Sequence, residues 1–335
     1  MPRKRLISIV LGAILGIVLL LLWLRFVDVG LLLLRLREVR LNYVLTAALV
    51  YLGAYFLRSW RWNLLMAQQQ RLPVFRTWLY SMGGNWVNYM IPIRLGEVVK
   101  AWFVKRNHGL PMLKVLPTIF IDKSFDTLAI FFVILLLPFL RIRLSTGFLV
   151  LLVLLLLVFL FSLGVILFSA KRKHSVVKAL QVFFAWLPGK VKRKLDGYIE
   201  MFVQGLNLFE HHWSRLTGAL VLTAAGVLLD GLYFFLLFEA FGVVYPFALV
   251  LFGYTLINLS YALPQPPAQL GSNEWMMIII FSLGFGLTRE DASAIMAFAH
   301  LLTAILMSAT GSFAIALSGH QILKSVFCGD SLYEQ

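Results

Sequence analysis

Long apolar runs recur along the sequence and limit what the chain can fold into. A helix needs about 20 consecutive apolar residues to cross the hydrocarbon core of a bilayer. The 335-residue chain is 61% hydrophobic and 13% charged, whereas a soluble domain is about half apolar and about a quarter charged. The sequence therefore predicts an all-α, polytopic integral membrane protein with seven or eight transmembrane helices. The uninterrupted runs are 6–24, 41–57, 117–140, 145–169, 216–241, 246–263 and 292–318.

The formal net charge of +15 is distributed around these runs. Basic residues cluster at the ends of the runs, as the positive-inside bias and anionic lipid at the cytoplasmic face would require. This placement disfavours nucleic acid as a partner and predicts a multi-pass protein of the cell inner membrane. The larger share of Lys and Arg falls on the cytoplasmic side when the N-terminus is placed there, and we interpret the first run as an uncleaved span.

The sequence predicts one transmembrane domain over residues 1–325 and a tail over 326–335. Residues 171–215 carry apolar side chains at helical spacing between Lys and Arg, which predicts an amphipathic segment on the cytoplasmic membrane surface. The stretch "LLLLRLREVR" (31–40) predicts a second, shorter interfacial helix.

Motifs for cofactor, metal or nucleophile chemistry are missing from the sequence. Cys328 is the single cysteine, so neither an internal disulfide nor a thiolate metal cluster can form within the chain. The sequence contains no Gly-rich phosphate loop, zinc-ligand spacing or nucleophile elbow. We therefore expect no cofactor, no metal and no catalytic residue.

Two further apolar segments, 77–105 and 264–287, are interrupted by Pro, Gly, Asn and charge. The first contains "PIRLGE" (92–97) and the second "PAQLGSNE" (267–274), so both read Pro-x-x-Leu-Gly followed by Glu. Corresponding Gly/Pro-broken segments in two halves of a chain are typical of a transporter binding site. We predict two broken or re-entrant segments whose helix N-termini, together with Arg94, face an anionic group. Ordinary interfacial loops are the alternative.

Ionisable residues inside the apolar runs are the remaining candidates, because a charge near the bilayer centre costs about 2.5–3.5 kcal/mol on insertion scales. Asp230 and Asp126 are candidates for function or for structural hydrogen bonds. Asp122 either faces the site or favours the N-terminal dipole of a helix begun at Pro117. For His300 the alternatives are a packed histidine, a headgroup contact or a proton carrier. At the cytoplasmic end of the second span, Arg58 and Arg61 either bind a lipid phosphate or anchor the helix at the membrane surface.

Several stretches resemble the flippase-like membrane family, which includes the membrane domain of lysylphosphatidylglycerol synthase/flippase proteins and stand-alone relatives. They are "RSWRW" (58–62), "NWVNYMIPIRLGEVVKAWFVKRNHGLP" (85–111), "DKSFD" (122–126) and "LPQPPAQLGSNE" (263–274). The resemblance covers about residues 10–320. It implies a lipid-translocating membrane domain and adds Asn85 to the residues expected to bind substrate, which are Arg58, Arg61, Asn85, Arg94, Gly96, Glu97, Asp122, Asp126, Asp230, Gly271, Glu274 and His300.

The sequence departs from the family's pattern in its second half. The late motif of the family reads Pro-Gly-Gly-Leu-Gly-x-x-Glu, whereas Ala268 and Gln269 occupy the two Gly positions here. A basic residue typical of the last span, often Arg, is His300. Substrate contacts at this second segment are therefore expected to differ from those of the family.

The predicted function is translocation of a phosphate-bearing lipid or lipid-linked glycan between membrane leaflets without an ATPase domain. Movement could be coupled to protons through Asp126, Asp230 or His300. Two alternatives stay open, an integral membrane transferase acting on a lipid-linked substrate and a non-transporting partner subunit of a lipid-synthesis complex. The expected partners are an anionic lipid or lipid-linked substrate, the membrane, and either a second copy of the chain or a lipid-synthesis enzyme.

Overall fold

A computed structural model describes residues 3–91, 95–134, 213–261 and 265–318, together with Leu157; the side chains of residues 3–10, 131, 134 and 213 are not described. Within these ranges the chain forms ten α-helices and no strand, which confirms the all-α prediction. The helices are α1 (Arg3–Phe26), α2 (Val29–Arg37), α3 (Leu41–Met66), α4 (Val74–Met90), α5 (Gly96–His108), α6 (Met112–Ile134), α7 (Trp213–Ala240), α8 (Phe247–Ser260), α9 (Ser272–Met277) and α10 (Arg289–Ser318).

The described part contains fewer spans than the seven or eight predicted. Three helices are long and apolar enough to cross a membrane, Leu41–Met66, Ser214–Ala240 and Arg289–Ser318. A fourth span results if Leu11–Phe26 and Val29–Arg37, bent by 89° at their junction, count as one. Two predicted spans do not pass this criterion in the described residues, since α6 carries three charges between residues 117 and 134 and α8 has 14 residues. Residues 135–140 and 262–263 of these predicted spans lie outside the described residues. The predicted span 145–169, apart from Leu157, the surface segment 171–215, apart from the start of α7, and the tail 326–335 lie outside the described residues.

The bend between α1 and α2 is fixed by a helix cap. Asp28 occupies the N-cap position of α2, and its Oδ1 accepts a hydrogen bond from the Leu31 amide at 3.1 Å. A side-chain acceptor at this position satisfies one of the free N–H groups at a helix start. The short helix predicted for 31–40 is therefore present, and it packs against α10.

The core is built around the pairing of α3 with α7 and of α4 with α10. Its centre is aromatic, and Phe234, Phe238 and Phe281 are fully buried, with ring centroids 5.1–5.8 Å apart. Small residues allow the helices of these pairs to approach each other closely. A Cβ at Gly311 of α10 would overlap Trp86 of α4, so this close contact requires glycine.

Both interrupted segments lie between helices. In the first, α4 ends at Met90 and α5 begins at Gly96, with residues 92–94 outside the description. In the second, α8 ends at Ser260 and a 3₁₀ turn over Pro267–Gln269 precedes α9. Three residues in and just after this turn have positive φ angles, Ala268 at 52°, Gln269 at 59° and Gly271 at 76°. At Gly271 this conformation is one that glycine adopts without steric cost.

Two predictions about helix boundaries were wrong. The second span was expected to end at residue 57, and α3 instead continues to Met66. The helix that contains Asp122 begins at Met112 rather than at Pro117, which lies inside it. Asp122 is therefore ten residues from the helix start, too far to be explained by the N-terminal dipole, whose effect falls off within the first turn.

Candidate functional site

A cavity of about 650 Å³ lies among α3–α8, α10 and the second interrupted segment. Its volume is within the range of small-molecule sites. Glu97 and Lys100 reach its wall from the helix after the first interruption, and Gln269 and Asn273 reach it from the second. Described residues of both interrupted segments therefore line one cavity.

An ion-pair cluster from three helices forms one wall of the cavity. Arg58 of α3 pairs with Asp230 of α7 through both guanidinium Nη atoms, with Nη1 2.9 Å from Oδ1. Arg61, one turn further along α3, donates from Nε to Asp122 Oδ1 and from Nη2 to Asp126 Oδ1, both at 2.7 Å. The Arg61 side chain is 1% exposed, so its charge is neutralised by neighbours rather than by water.

These partners explain why α3 continues past residue 57. A charged side chain ends a membrane helix when it has to reach water, and it is tolerated inside when it pairs with an opposite charge. Arg58 and Arg61 meet carboxylates of α6 and α7, so they lie within the helix bundle. The prediction that Arg58 and Arg61 lie at a helix end was wrong. Their position within the bundle was not visible from the sequence, because the carboxylates that pair with them are distant along the chain.

Lys100 is a cavity residue that the sequence interpretation missed. Its side chain is 5% exposed, yet it lines the cavity. It forms no salt bridge or hydrogen bond with the described residues; Lys123, Glu97, Asp122 and Asp126 act on its charge at longer range. The sequence spacing could have indicated its position, because Lys100 follows Glu97 by three residues and therefore lies on the same face of α5.

The cluster is electrically balanced without Lys100. Lys123 Nζ lies 3.7 Å from Asp126, so three cations face three carboxylates across α3, α6 and α7. Glu97 is held separately, because both of its carboxylate oxygens accept from Asn88 Nδ2 at 3.1 Å. Among the described cavity residues, Lys100 therefore has a charged group available to an anion.

His300 connects the last span to the second interrupted segment. Its Nε2 lies 2.6 Å from the Ala268 carbonyl, and its Nδ1 lies 2.6 Å from Glu274 Oε1. A carbonyl can only accept, so Nε2 carries a proton, and a second proton is shared between Nδ1 and the carboxyl group. The histidine thus holds a turn with positive φ angles in place while carrying an exchangeable proton.

The first interruption differs in detail from the prediction. Gly96 does not adopt a positive φ angle; instead its backbone approaches Gly84 and Asn88 so closely that a Cβ would overlap them. Its amide donates to Asn88 Oδ1 at 2.6 Å. The leading N–H of α5 is therefore occupied, which argues against this amide as a phosphate contact. Arg94 lies outside the described residues.

The predicted site residues divide into two groups. Those that line the cavity are Arg58, Asn85, Glu97, Asp122, Asp126, Asp230 and His300. Arg61, Gly96, Gly271 and Glu274 support the wall from behind by ion pairing, close packing or hydrogen bonding.

Apart from Asn85, the uncharged polar part of the wall was not predicted. It is formed by tyrosines and side-chain amides, including Tyr51 and Tyr55, which follow one face of α3 with Arg58 at helical spacing. This helical spacing is present in the sequence and could have indicated that the two tyrosines lie beside Arg58. Within the described residues, no group of three or more His, Cys, Asp or Glu side chains is arranged to hold a metal ion.

Comparison with known proteins gives two matches. The family model for the lysylphosphatidylglycerol synthase transmembrane region matches residues 6–311. A UPF0104 membrane protein of Methanothermobacter thermautotrophicus is 25% identical over 293 residues, which cover 84% of each chain. No solved structure matches the chain.

Proposed function

The chain belongs to the family of the lysylphosphatidylglycerol synthase transmembrane region, and from this premise we propose that it translocates a phosphate-bearing lipid between the leaflets of the membrane. The cavity holds the headgroup, and the acyl chains stay in the surrounding lipid. Placement in the cell inner membrane with a cytoplasmic N-terminus is part of this proposal, as is the absence of enzymatic activity.

The observation that carries the proposal is the burial of Lys100 in the cavity wall without a salt bridge to a described residue. A lysine with a 5% exposed side chain and no salt bridge among the described residues is costly inside a membrane protein. An anionic group entering the cavity would offset this cost by forming a charge-assisted hydrogen bond. A lipid phosphodiester is an anion that reaches this depth without leaving the membrane.

The ion-pair cluster provides the polar surroundings that the headgroup requires. A phosphate cannot cross the hydrocarbon core without losing its hydration, and a cavity lined by polar groups replaces that hydration. Because the three arginine and lysine cations of the cluster are matched by Asp122, Asp126 and Asp230, it presents polar groups without binding the phosphate irreversibly.

The second interrupted segment is the element we expect to move. It holds three residues with positive φ angles between α8 and α9 and is tied to α10 by the His300 hydrogen bonds. Backbone in such conformations persists where the surrounding structure holds it and is concentrated at ligand clamps and switch regions. Coupling of this movement to protons through Asp126, Asp230 or His300 stays a prediction.

A leaflet-exchange assay tests the proposal. Purified protein is reconstituted into vesicles containing phosphatidylglycerol labelled with a fluorophore on an acyl chain, and external dithionite then bleaches the exposed label. The protein should make inner-leaflet label accessible over time, while protein-free vesicles retain it. Lys100→Met should slow this exchange, because loss of a buried charge-assisted contact lowers affinity by about ten-fold or more.

Lys114→Met is the matched control, since Lys114 is exposed and does not line the cavity. It should exchange lipid at the unsubstituted rate. Binding of the lipid without leaflet exchange would contradict the proposal and favour a non-transporting partner subunit. Chemical conversion of the lipid, seen by mass spectrometry, would favour the membrane transferase instead.

A further inference from the structure

We propose that the headgroup held in this cavity carries hydroxyl groups, as a glycerol, inositol or sugar phosphodiester does, and lacks an ammonium group. The inference rests on the proposed function, because it takes the cavity to be the headgroup site. It concerns the uncharged part of the wall, where polar atoms are buried without the hydrogen bonds they require.

Tyr51 is the first of these unsatisfied groups. Tyr51 is 5% exposed and lines the cavity, and its Oη makes no hydrogen bond of normal geometry with the described residues, although the Tyr55 hydroxyl is close enough to act on it. The ring of Tyr51 lies 4.8 Å from that of Tyr55 and 5.3 Å from that of Tyr233. A buried hydroxyl in such a position lowers stability unless a ligand or water bonds to it.

Asn273 carries the second unsatisfied polar group. It is 6% exposed, and its Nδ2 donates to Gln269 Oε1 at 3.0 Å, while its Oδ1 is buried without a partner in the described structure. An amide oxygen can only accept, so the ligand has to supply a donor. Tyr51 and Asn273 line the same cavity from opposite halves of the chain.

A hydroxyl-bearing headgroup satisfies both atoms. Each hydroxyl donates one hydrogen bond and accepts others, so neighbouring hydroxyls can donate to Asn273 Oδ1 and bond to Tyr51 Oη in either sense. The other amides of the wall offer the same mixture of donors and acceptors. They are Asn85, Asn258, Gln265 and Gln269.

A headgroup with a positive nitrogen fits the wall less well. A trimethylammonium group has no hydrogen to donate to Asn273 Oδ1. An ammonium group could donate to Asn273 Oδ1, but its positive charge also needs a free carboxylate, and the three Asp side chains of the cluster are already paired with Arg58, Arg61 and Lys123. Glu97 accepts from Asn88. Glu274 has one oxygen without a partner, but Glu274 does not line the cavity.

Lipids with identical acyl chains separate these headgroups. The full-length protein in detergent is titrated with dioleoyl phosphatidylethanol, phosphatidylglycerol, phosphatidylinositol and phosphatidylethanolamine, and binding is measured by native mass spectrometry. Phosphatidylethanol carries the same phosphodiester charge as the second and third lipids without hydroxyls. Phosphatidylglycerol and phosphatidylinositol should bind about three- to ten-fold more tightly than phosphatidylethanol, as one or two added hydrogen bonds would give. Phosphatidylethanolamine should bind no more tightly than phosphatidylethanol.

Substitutions assign the preference to the two atoms. Tyr51→Phe and Asn273→Ala should each reduce the preference for the hydroxyl-bearing lipids while leaving phosphatidylethanol affinity unchanged. Tyr43→Phe and Asn42→Ala, outside the cavity on the same helix as Tyr51, should leave the preference intact.

The outcomes distinguish this inference from the proposed function. Equal affinity for phosphatidylglycerol and phosphatidylethanol in the unsubstituted protein, or tighter binding of phosphatidylethanolamine, would overturn the hydroxyl inference. If Lys100→Met still weakened binding of every phosphodiester in that case, the anionic-lipid function would stand. Failure of all four lipids to bind would overturn both.

Discussion

Arg58 and Asp230 are 172 residues apart in sequence and form a two-point ion pair between α3 and α7, with Nη1 2.9 Å from Oδ1. The pair borders the cavity, so each side chain is partly accessible, at 26% and 15%. Removing one partner of such a pair leaves the other charge uncompensated, whereas removing both at once eliminates that cost.

The ion pair predicts the effect of Asp230→Asn. The variant should be less stable in detergent by about 1.5–3 kcal/mol, because Arg58 loses a charged hydrogen-bond acceptor. The double variant Arg58→Met with Asp230→Leu should recover most of that loss. Thermal unfolding of the purified variants in one detergent measures both effects.

The surface pair of Arg35 with Glu38 supplies the control. Glu38 has a side chain that is 60% exposed and lies 3.5 Å from Arg35. Glu38→Gln should change stability by less than about 1 kcal/mol, as exposed pairs do. If the double variant at Arg58 and Asp230 were as unstable as Asp230→Asn, the loss of stability would not come from an unpaired Arg58 charge, and the prediction would be wrong.

The sequence predicted the residues of the site better than their roles. Apolar runs, the two interrupted motifs and the intramembrane acids are local patterns, and seven of the named residues line one cavity. Pairing between α3 and the helices α6 and α7 depends on the tertiary fold, so Arg58 and Arg61 were placed at a helix end. Lys100 was missed for the same reason, because burial of a lysine cannot be deduced from its neighbours in sequence.

Charge placement makes a separate prediction about topology. Residues 171–215 should face the cytoplasm, because they carry a large share of the Lys and Arg residues. In a Cys328→Ala background, Ser175→Cys and Asp196→Cys should resist an impermeant maleimide added to intact cells. Ile142→Cys, in the short connection between the predicted runs 117–140 and 145–169, lies on the opposite side in the same topology and should react. Ready labelling at residues 175 and 196 would reverse the orientation.

Gly271 and Gly109 test what the second interrupted segment requires. Both have positive φ angles, 76° and 69°, but a Cβ at Gly271 would overlap the α1 backbone at Leu19 and Leu20, while one at Gly109 meets open space. Gly109→Ala should therefore cost only the conformational penalty of about 1–2 kcal/mol. Gly271→Ala should cost more, because α1 has to move as well. Thermal unfolding of the two variants gives the comparison, and equal losses would show that α1 does not pack tightly at this turn.

Ala268 and Gln269 hold positive φ angles at the two positions where the family's late motif has glycine. The backbone conformation is therefore retained although the residues that favour it are absent. For an L-residue this conformation costs about 1–2 kcal/mol, and glycine's larger entropy in the unfolded chain offsets about 0.5–1 kcal/mol of the gain. Ala268→Gly should consequently stabilise the protein by about 0.5–1 kcal/mol, measured by thermal unfolding in detergent.

An alanine-to-glycine substitution within a helix should instead lower stability. Ala224 is exposed within α7, and Ala224→Gly should destabilise by about 1 kcal/mol, the difference between the two residues in a helix interior. The His300 Nε2 hydrogen bond to the Ala268 carbonyl is a backbone contact, so it survives Ala268→Gly and is lost in His300→Phe. If Ala268→Gly were destabilising, the positive φ angle at residue 268 would not be the conformation the turn adopts in the membrane.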